Sequence, residues 1–272
     1  MSERLDVLIT VKTYPIPSKK YDELVCTAGV TRDGDFIRLY PINFRDLPFS
    51  KQYKKYQRIR VEVEKHKGRD TRKESYRPDC STIQTLGPPI PTVRGDWSER
   101  ARFALAKKSD SMEELYDKQR ADRTSLGVFE PKRIRDLEIS PDDLEWDPGF
   151  LAALRQARLW ETRTVSKQPP RKVPFKFQYV FDCCDDRCKS HRMMIEDWEV
   201  GALFWRMVDK GMSHGEAAEK VKDKFLTDIC GPDKDTHFYV GTVLGRGTWV
   251  VIGAFYPKKS RKPDAGCFPL FG

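Results

Sequence analysis

Apolar and polar positions alternate over most of the first 90 residues. Val7, Ile9 and Val11 alternate with more polar neighbours, and Leu24–Val30 is a second β-rich run. Asp33-Gly34 then stands between Val30 and Phe36-Ile37, a short-range hairpin signal. Phe36–Ile42 (FIRLYPI) continues as a strand, with Pro41 pushing that end to an edge or terminus. Ile59, Val61 and Val63 alternate with Arg58, Arg60, Glu62 and Glu64, giving one buried and one charged face. Four or five strands with turns between them predict a small barrel or curled sheet of OB type.

The pattern changes at Leu86–Pro91 (LGPPIP), where proline fixes φ and removes donors. Helical signals follow. Asp96 or Ser98 caps a helix to about Lys107, and Ser111-Met112-Glu113-Glu114 is a capping box opening another to about Ala121. Asp147-Pro148 leads into FLAALRQARLW as a third, and Arg133–Glu138 reads as a strand between them. Glu161–Pro174 is polar, basic and proline-rich, the best linker in the chain. Phe175–Phe181 alternates as a strand, and Val200, Leu203, Phe204 and Met207 form a helical stripe over Trp198–Lys210. Ser213-His214-Gly215-Glu216 is a further capping box, opening a helix to about Phe225. The chain returns to strands at His237–Val243 and Trp249–Tyr256, and from Ser260 reads as a tail. No internal repeat is visible. The expected fold is α+β in three parts: a basic β-barrel module (1–90), a helical connecting region (91–165) and an α+β module with a Cys/His loop (166–272).

The 272 residues carry a net charge of +9, with 33% charged and 11% aromatic positions. The positive charge concentrates between Lys51 and Arg77, a distribution that attracts polyanions. Aromatics interleave with it at Tyr40, Phe44-Arg45, Tyr53-Lys54-Lys55-Tyr56 and Tyr76-Arg77. Rings stack unpaired bases while Lys and Arg track phosphates. The candidate nucleic-acid residues are therefore Arg38, Tyr40, Arg45, Lys54, Lys55, Tyr56, Arg58, Arg60, His66, Lys67, Arg69, Arg72 and Arg77. Core packing of Tyr40, Tyr53 and Tyr56 is the competing use. Residues 198–210 and 214–226 also have a helix-turn-helix outline, with Lys220, Lys222 and Lys224 on the second helix.

Phe181–Glu199 (FDCCDDRCKSHRMMIEDWE) holds the densest chemistry. Cys184, Cys188 and His191 suit Zn²⁺, with an iron–sulfur cluster as the minor alternative. Cys230 is the favoured fourth ligand, and Cys183 or His237 the alternatives. Free buried cysteines are the competing reading. Asp197 and Glu199 have two open uses. They could hold Mg²⁺ for phosphodiester cleavage together with acidic groups from Asp182 onward. Asp197 equally suits a helix N-cap, with Glu199 in the first turn. No G-x-S-x-G or Walker A motif occurs, and no small-molecule cofactor is indicated.

Seven clustered cysteines do not form a secreted disulfide pattern. No apolar run reaches the roughly 18 residues of a membrane span, so a soluble, cytoplasmic protein is expected.

Val25-Cys26-Thr27-Ala28-Gly29 followed by Phe36-Ile37-Arg38-Leu39-Tyr40-Pro41 resembles the opening of bacterial domains described as dual OB-containing. In those domains a Cys-Ala-Gly run precedes an aromatic-Ile-Arg-x-x-Pro strand. The resemblance covers roughly the first 45 residues and implies a nucleic-acid-related OB fold. Together these features point to binding of single-stranded or flexible DNA or RNA, with a structural metal. The setting would be a bacterial or mobile-element nucleic-acid-processing or defence complex, with other subunits as partners. The rival expectations are a metal-dependent nuclease using acidic groups of 182–199, and a non-enzymatic subunit docking an acidic protein.

Overall fold

The structure is a computed structural model that describes residues 2–18, 22–66, 68, 70–149, 151 and 169–259. The expected third helix beyond Gly149, most of the 161–174 linker and the tail from Ser260 lie outside the described residues. Among the described residues, no helix is long and apolar enough to cross a membrane.

The first half is a closed five-strand barrel. Its strands are β1 (Ser2–Lys12), β3 (Asp22–Val30), β4 (Phe36–Ile42), β6 (Ser75–Pro78) and β5 (Arg58–Lys65), and β5 returns to pair with β1. Two short strands extend it: β2 (Ile16–Ser18) on β3 and β7 (Gln84–Leu86) on β5. One long strand serves two neighbours. Residues 2–8 of β1 pair with β5, and residues from Leu8 to Lys12 pair with β3 across a register shift between Ile9 and Val11. The β4–β6 pairing is parallel and the other contacts of the ring are antiparallel. The predicted hairpin at Asp33-Gly34 joins β3 to β4. Gly34 sits at φ +80°, where a side chain would strain, and a Cβ there would lie 2.7 Å from the Ala106 Cβ.

Two helices follow: α1 (Ser98–Ala104) and α2 (Met112–Asp122). The second half then repeats the circuit of the first. Its strands are β8 (Leu126–Phe129), β9 (Arg133–Pro141), β10 (Phe175–Asp182), β11 (His191–Met194), β12 (His237–Thr242) and β13 (Trp249–Phe255). β9, β10 and β11 form one antiparallel sheet, and β8, β12 and β13 another. A parallel bridge between Ile195 and Val251 joins the two sheets. Taken together, β8 and β9 play the part of β1, pairing with both the second and the fourth strand. The third and fifth strands again meet in parallel. Helices α3 (Trp198–Asp209) and α4 (His214–Lys222) fill the connection between third and fourth strands, where the first half has only two 3-10 turns. The repeat lies in strand order rather than residue identity, so the sequence does not display it.

The strand period of two distributes side chains over three cores. Val7, Ile9, Leu39, Ile59 and Val61 fill the first barrel. Phe177, Phe181, Phe238, Val240 and Val251 fill the second. The alternate positions Leu8, Val128, Tyr239, Val250 and Ile252 meet in a third core between the barrels. β8, β12 and β13 are consequently buried at every residue. Fully burying each large apolar side chain contributes about 1.5–3 kcal/mol, so the inter-barrel core fixes the two halves against each other.

Candidate functional site

The second barrel covers part of the surface that alternation assigns to solvent. Arg38 points out of the first barrel on β4, yet it is only 2% exposed. Its guanidinium donates to the Ser75 hydroxyl at 3.2 Å, the Ser125 hydroxyl at 2.6 Å and the Ser125 carbonyl at 2.8 Å. The Glu74 carboxylate accepts from the Ser125 backbone and hydroxyl. Arg72 grips Asp70 with two donors and donates to the Thr242 carbonyl at 2.8 Å. Burial alone would raise the Asp70 carboxyl, but the Arg72 hydrogen bonds hold it down at about 2. Tyr56 is also buried, in the inter-barrel core. These three expected nucleic-acid contacts instead join the barrels, and Arg38 and Tyr56 have no path to a surface ligand.

Other expected contacts are committed to internal partners. Arg45 pairs with Glu23, Arg60 with Asp6, and His66 Nε2 lies 2.8 Å from the Tyr40 carbonyl. The half-buried Tyr40 has an interaction of its own. Lys67 and Arg69 lie outside the described residues. Arg77 is exposed on β6, opposite Glu64.

Lys55 reaches the residues once considered as Mg²⁺ ligands. Its Nζ is 3.7 Å from Asp197 Oδ2 and 3.6 Å from Glu199 Oε2. Burial would lower the Lys55 ammonium, and the two carboxylates reverse that and keep it charged. Asp197 caps α3, accepting the Glu199 N–H at 2.9 Å, and burial lifts its carboxyl to about 6. Lys12 lies over the Phe44 ring at 4.0 Å and the Trp198 ring at 5.1 Å, and burial lowers its ammonium to about 8. Asp182 pairs with Arg135 and Asp185 with Arg187, each away from this knot. The acidic groups of 182–199 thus disperse onto separate cations. The geometry favours the capping use of Asp197 over a two-carboxylate Mg²⁺ site.

Lys54, Arg58 and α1 build a different surface. The Arg58 guanidinium stacks over the Phe103 ring at 4.4 Å, and Arg102 approaches the same ring at 4.6 Å. Arg100 lies over Tyr56 at 4.3 Å and Trp97 at 4.9 Å, and donates to the Ile90 carbonyl. Trp97 is held edge-on by Phe255 at 5.2 Å. Among the described residues, no carboxylate lies within ion-pair distance of Arg58, Arg100 or Arg102. Arg58 stands opposite Leu86 of β7, and the neighbouring Thr85 donates to the Ser50 carbonyl. That places the turn bearing Phe49, 91% exposed, along the same edge. Exposed Lys54 borders it through Gln57, which donates to the Gly87 carbonyl. Of these groups, sequence reasoning named Lys54 and Arg58. The readable signal for the rest was Trp97-x2-Arg100-x-Arg102-Phe103, basic and aromatic residues at helical spacing.

The cysteines divide between places. Cys183, Cys188 and His191 meet Glu113, with one ligand atom of each within 4.8 Å of all the others. Cys184 is exposed, and Cys230 donates to the Tyr179 hydroxyl at 3.6 Å in another part of the core. His237 lies with Glu130 and Asp235. The expected set is therefore corrected: Cys184 and Cys230 stand apart, while Cys183, first held as an alternative, and Glu113 join Cys188 and His191. Strand parity explains Cys183. Phe177, Tyr179 and Phe181 face inward, and continuing the alternation turns Cys183 inward and Cys184 outward. Glu113 carried no signal, because it reads as a first-turn helix residue far away in the chain. The helix-turn-helix outline also dissolves: Lys220, Lys222 and Lys224 pair with Asp223, Asp136 and Asp228, and Val221 and Phe225 are buried in the second core.

Residues 108–270 match the family described as Domain of unknown function (DUF8757). The chain belongs to that family. Residues 3–106 match a second description, Domain of unknown function (DUF8758), so the two matches meet between α1 and α2. No curated protein matches the chain. Among solved structures, one similar chain is a murine DNA-binding protein bound with double-stranded DNA, at 11% identity. That alignment covers 96% of this chain and 98% of that one, with a TM-score of 0.31. Another is from a Replication Protein A heterotrimer bound to single-stranded DNA, at 8% identity. It covers 95% of this chain and 66% of that one, with a TM-score of 0.23.

Proposed function

We propose that the chain binds single-stranded or flexible nucleic acid, DNA or RNA, along the edge carrying Phe49, Lys54, Arg58, Trp97, Arg102 and Phe103. The observation that carries this reading is the set of guanidinium groups stacked on aromatic rings with no carboxylate to neutralise them. Stacking fixes the plane of each guanidinium and leaves its N–H edge free for phosphate oxygens. Exposed rings beside them offer faces to unpaired bases of any sequence.

OB barrels commonly bind oligonucleotides on the face of their second and third strands. In the first barrel those are β3 and β4, and their outward residues Ala28, Val30 and Arg38 are buried. The ligand is thereby directed to the β5–β7 edge and α1. Four cationic groups there predict a slope of log K against log salt of about −3 on a single strand. Fluorescence anisotropy with labelled single-stranded DNA, RNA and duplex tests this. Tight binding to single strands that weakens along that slope is expected. Phe49→Ala should cost about 1–3 kcal/mol through lost stacking. Binding indifferent to salt would overturn the reading and favour a protein partner.

A further inference from the structure

The pocket formed by Glu113, Cys183, Cys188 and His191 has no part in nucleic-acid binding as described above. Glu113 comes from the first turn of α2, whereas the other three come from the end of β10 and the start of β11. Their ligand atoms converge within 4.8 Å of one another. Two thiols, an imidazole and a carboxylate are a four-donor set of the kind that tetrahedral Zn²⁺ takes, and hard cations prefer oxygen alone.

An independent observation also points to a cation. Glu113 Oε1 lies 2.9 Å from His191 Nε2, but Oε2 is buried and has no hydrogen-bond partner. Glu113 as a whole is only 8% exposed. A desolvated carboxylate oxygen without a donor is costly, and a coordinated ion satisfies it. The sulfurs are prepared as well. The Met112 N–H points at Cys183 Sγ at 3.5 Å, and the Cys183 N–H at Cys188 Sγ at 3.2 Å. Such donors support thiolate charge from the outer shell. The other convergent group, Glu130, Asp235 and His237, offers three donors, no sulfur and an exposed glutamate.

We propose that Glu113, Cys183, Cys188 and His191 bind one Zn²⁺ as a closed structural site. On binding, both thiol protons pass to solvent and two sulfur–zinc bonds form. Four protein ligands leave no position for substrate, which separates this site from a catalytic zinc. The ion pins α2 to the β10–β11 loop. α2 in turn contacts both barrels: Gln119 accepts from Trp249 Nε1 at 2.7 Å, and Asp122 pairs with Lys73. The site is a staple at the junction of the two halves.

The test uses the full chain, reduced and stripped with a chelator, titrated with Co²⁺ and then with competing Zn²⁺. One cobalt per chain is expected, with thiolate-to-cobalt charge transfer and the intense visible bands of tetrahedral geometry. Cys188→Ser and Glu113→Gln should each weaken Zn²⁺ binding at least tenfold, whereas Cys184→Ser and Cys230→Ser should leave it unchanged. Glu113→Gln keeps the shape of the side chain, so it remains informative if Cys188→Ser fails to fold. Absence of the cobalt spectrum in the reduced wild-type chain would overturn the proposal. So would full affinity in Glu113→Gln, or loss of the metal in Cys184→Ser or Cys230→Ser.

Discussion

Replacing Arg38 with Met separates the two uses that one arginine could have. The substitution keeps much of the aliphatic volume and removes the guanidinium. Three short hydrogen bonds disappear, to the Ser75 hydroxyl and to the hydroxyl and carbonyl of Ser125. The Glu74 carboxylate stays buried with its nearby positive charge gone. Removing one side of a buried charged network costs about 3–5 kcal/mol. Total stabilities run at about 5–15 kcal/mol, so this is a large fraction. In urea, with a slope of about 2–3 kcal/mol/M, the midpoint should fall by about 1–2 M. Below the transition, binding to a single-stranded oligonucleotide should keep its affinity and its salt slope. An Arg38→Met protein of unchanged stability with weaker, less salt-sensitive binding would refute the reasoning, because Arg38 would then be contacting phosphate.

Other perturbations probe the same framework. Burial pushes the Glu196 carboxyl up to about 7, so the folded state holds its proton through a window in which the unfolded chain has released it. Stability should therefore fall by about 3 kcal/mol as pH rises from about 4.5 to 7 on this account. Glu196→Gln should flatten that part of a Tm–pH profile, and an equal fall in both proteins would contradict the assignment. Gly201→Ala would set a Cβ 2.2 Å from the Tyr14 ring. The ring must then move away from the Arg171 carbonyl that its hydroxyl meets at 2.9 Å, so a loss of about 1–3 kcal/mol is expected by denaturant titration. Ser213 and Glu216 form a reciprocal capping box at α4, and Ser213→Ala should cost about 1 kcal/mol by the same measurement.

The first barrel was legible because its strands carry apolar residues on one side and charges on the other. Val7 and Ile9, or Ile59 and Val61, announce both the strand and its inner face. β8, β12 and β13 lack that contrast. Residues such as Val250 and Val251 are apolar on adjacent positions because each serves a different core. Periodicity therefore shows a strand there but not that two barrels share it. The same blindness misplaced Arg38. Alternation correctly turned it outward, and nothing local says that outward means under the second barrel. Arg58 kept its exposed position since no element covers that end of β5, and its partner Phe103 comes from a helix read only as a connector. In the cysteine loop, parity could have chosen Cys183 over Cys184, but Glu113 becomes a neighbour only through the packing of α2 on the second barrel.

The central claim rests on the guanidinium groups that ride on aromatic rings at the edge of the first barrel. Its most direct measurement is the salt dependence of single-strand affinity in an Arg58→Gln/Arg102→Gln double variant. Each phosphate contact contributes about 0.7 to the slope of log K against log salt, so the double variant should lose about 1.4. Its midpoint in urea should match that of the unaltered chain, because neither side chain holds a buried partner. An unchanged slope and affinity in a folded double variant would contradict the account.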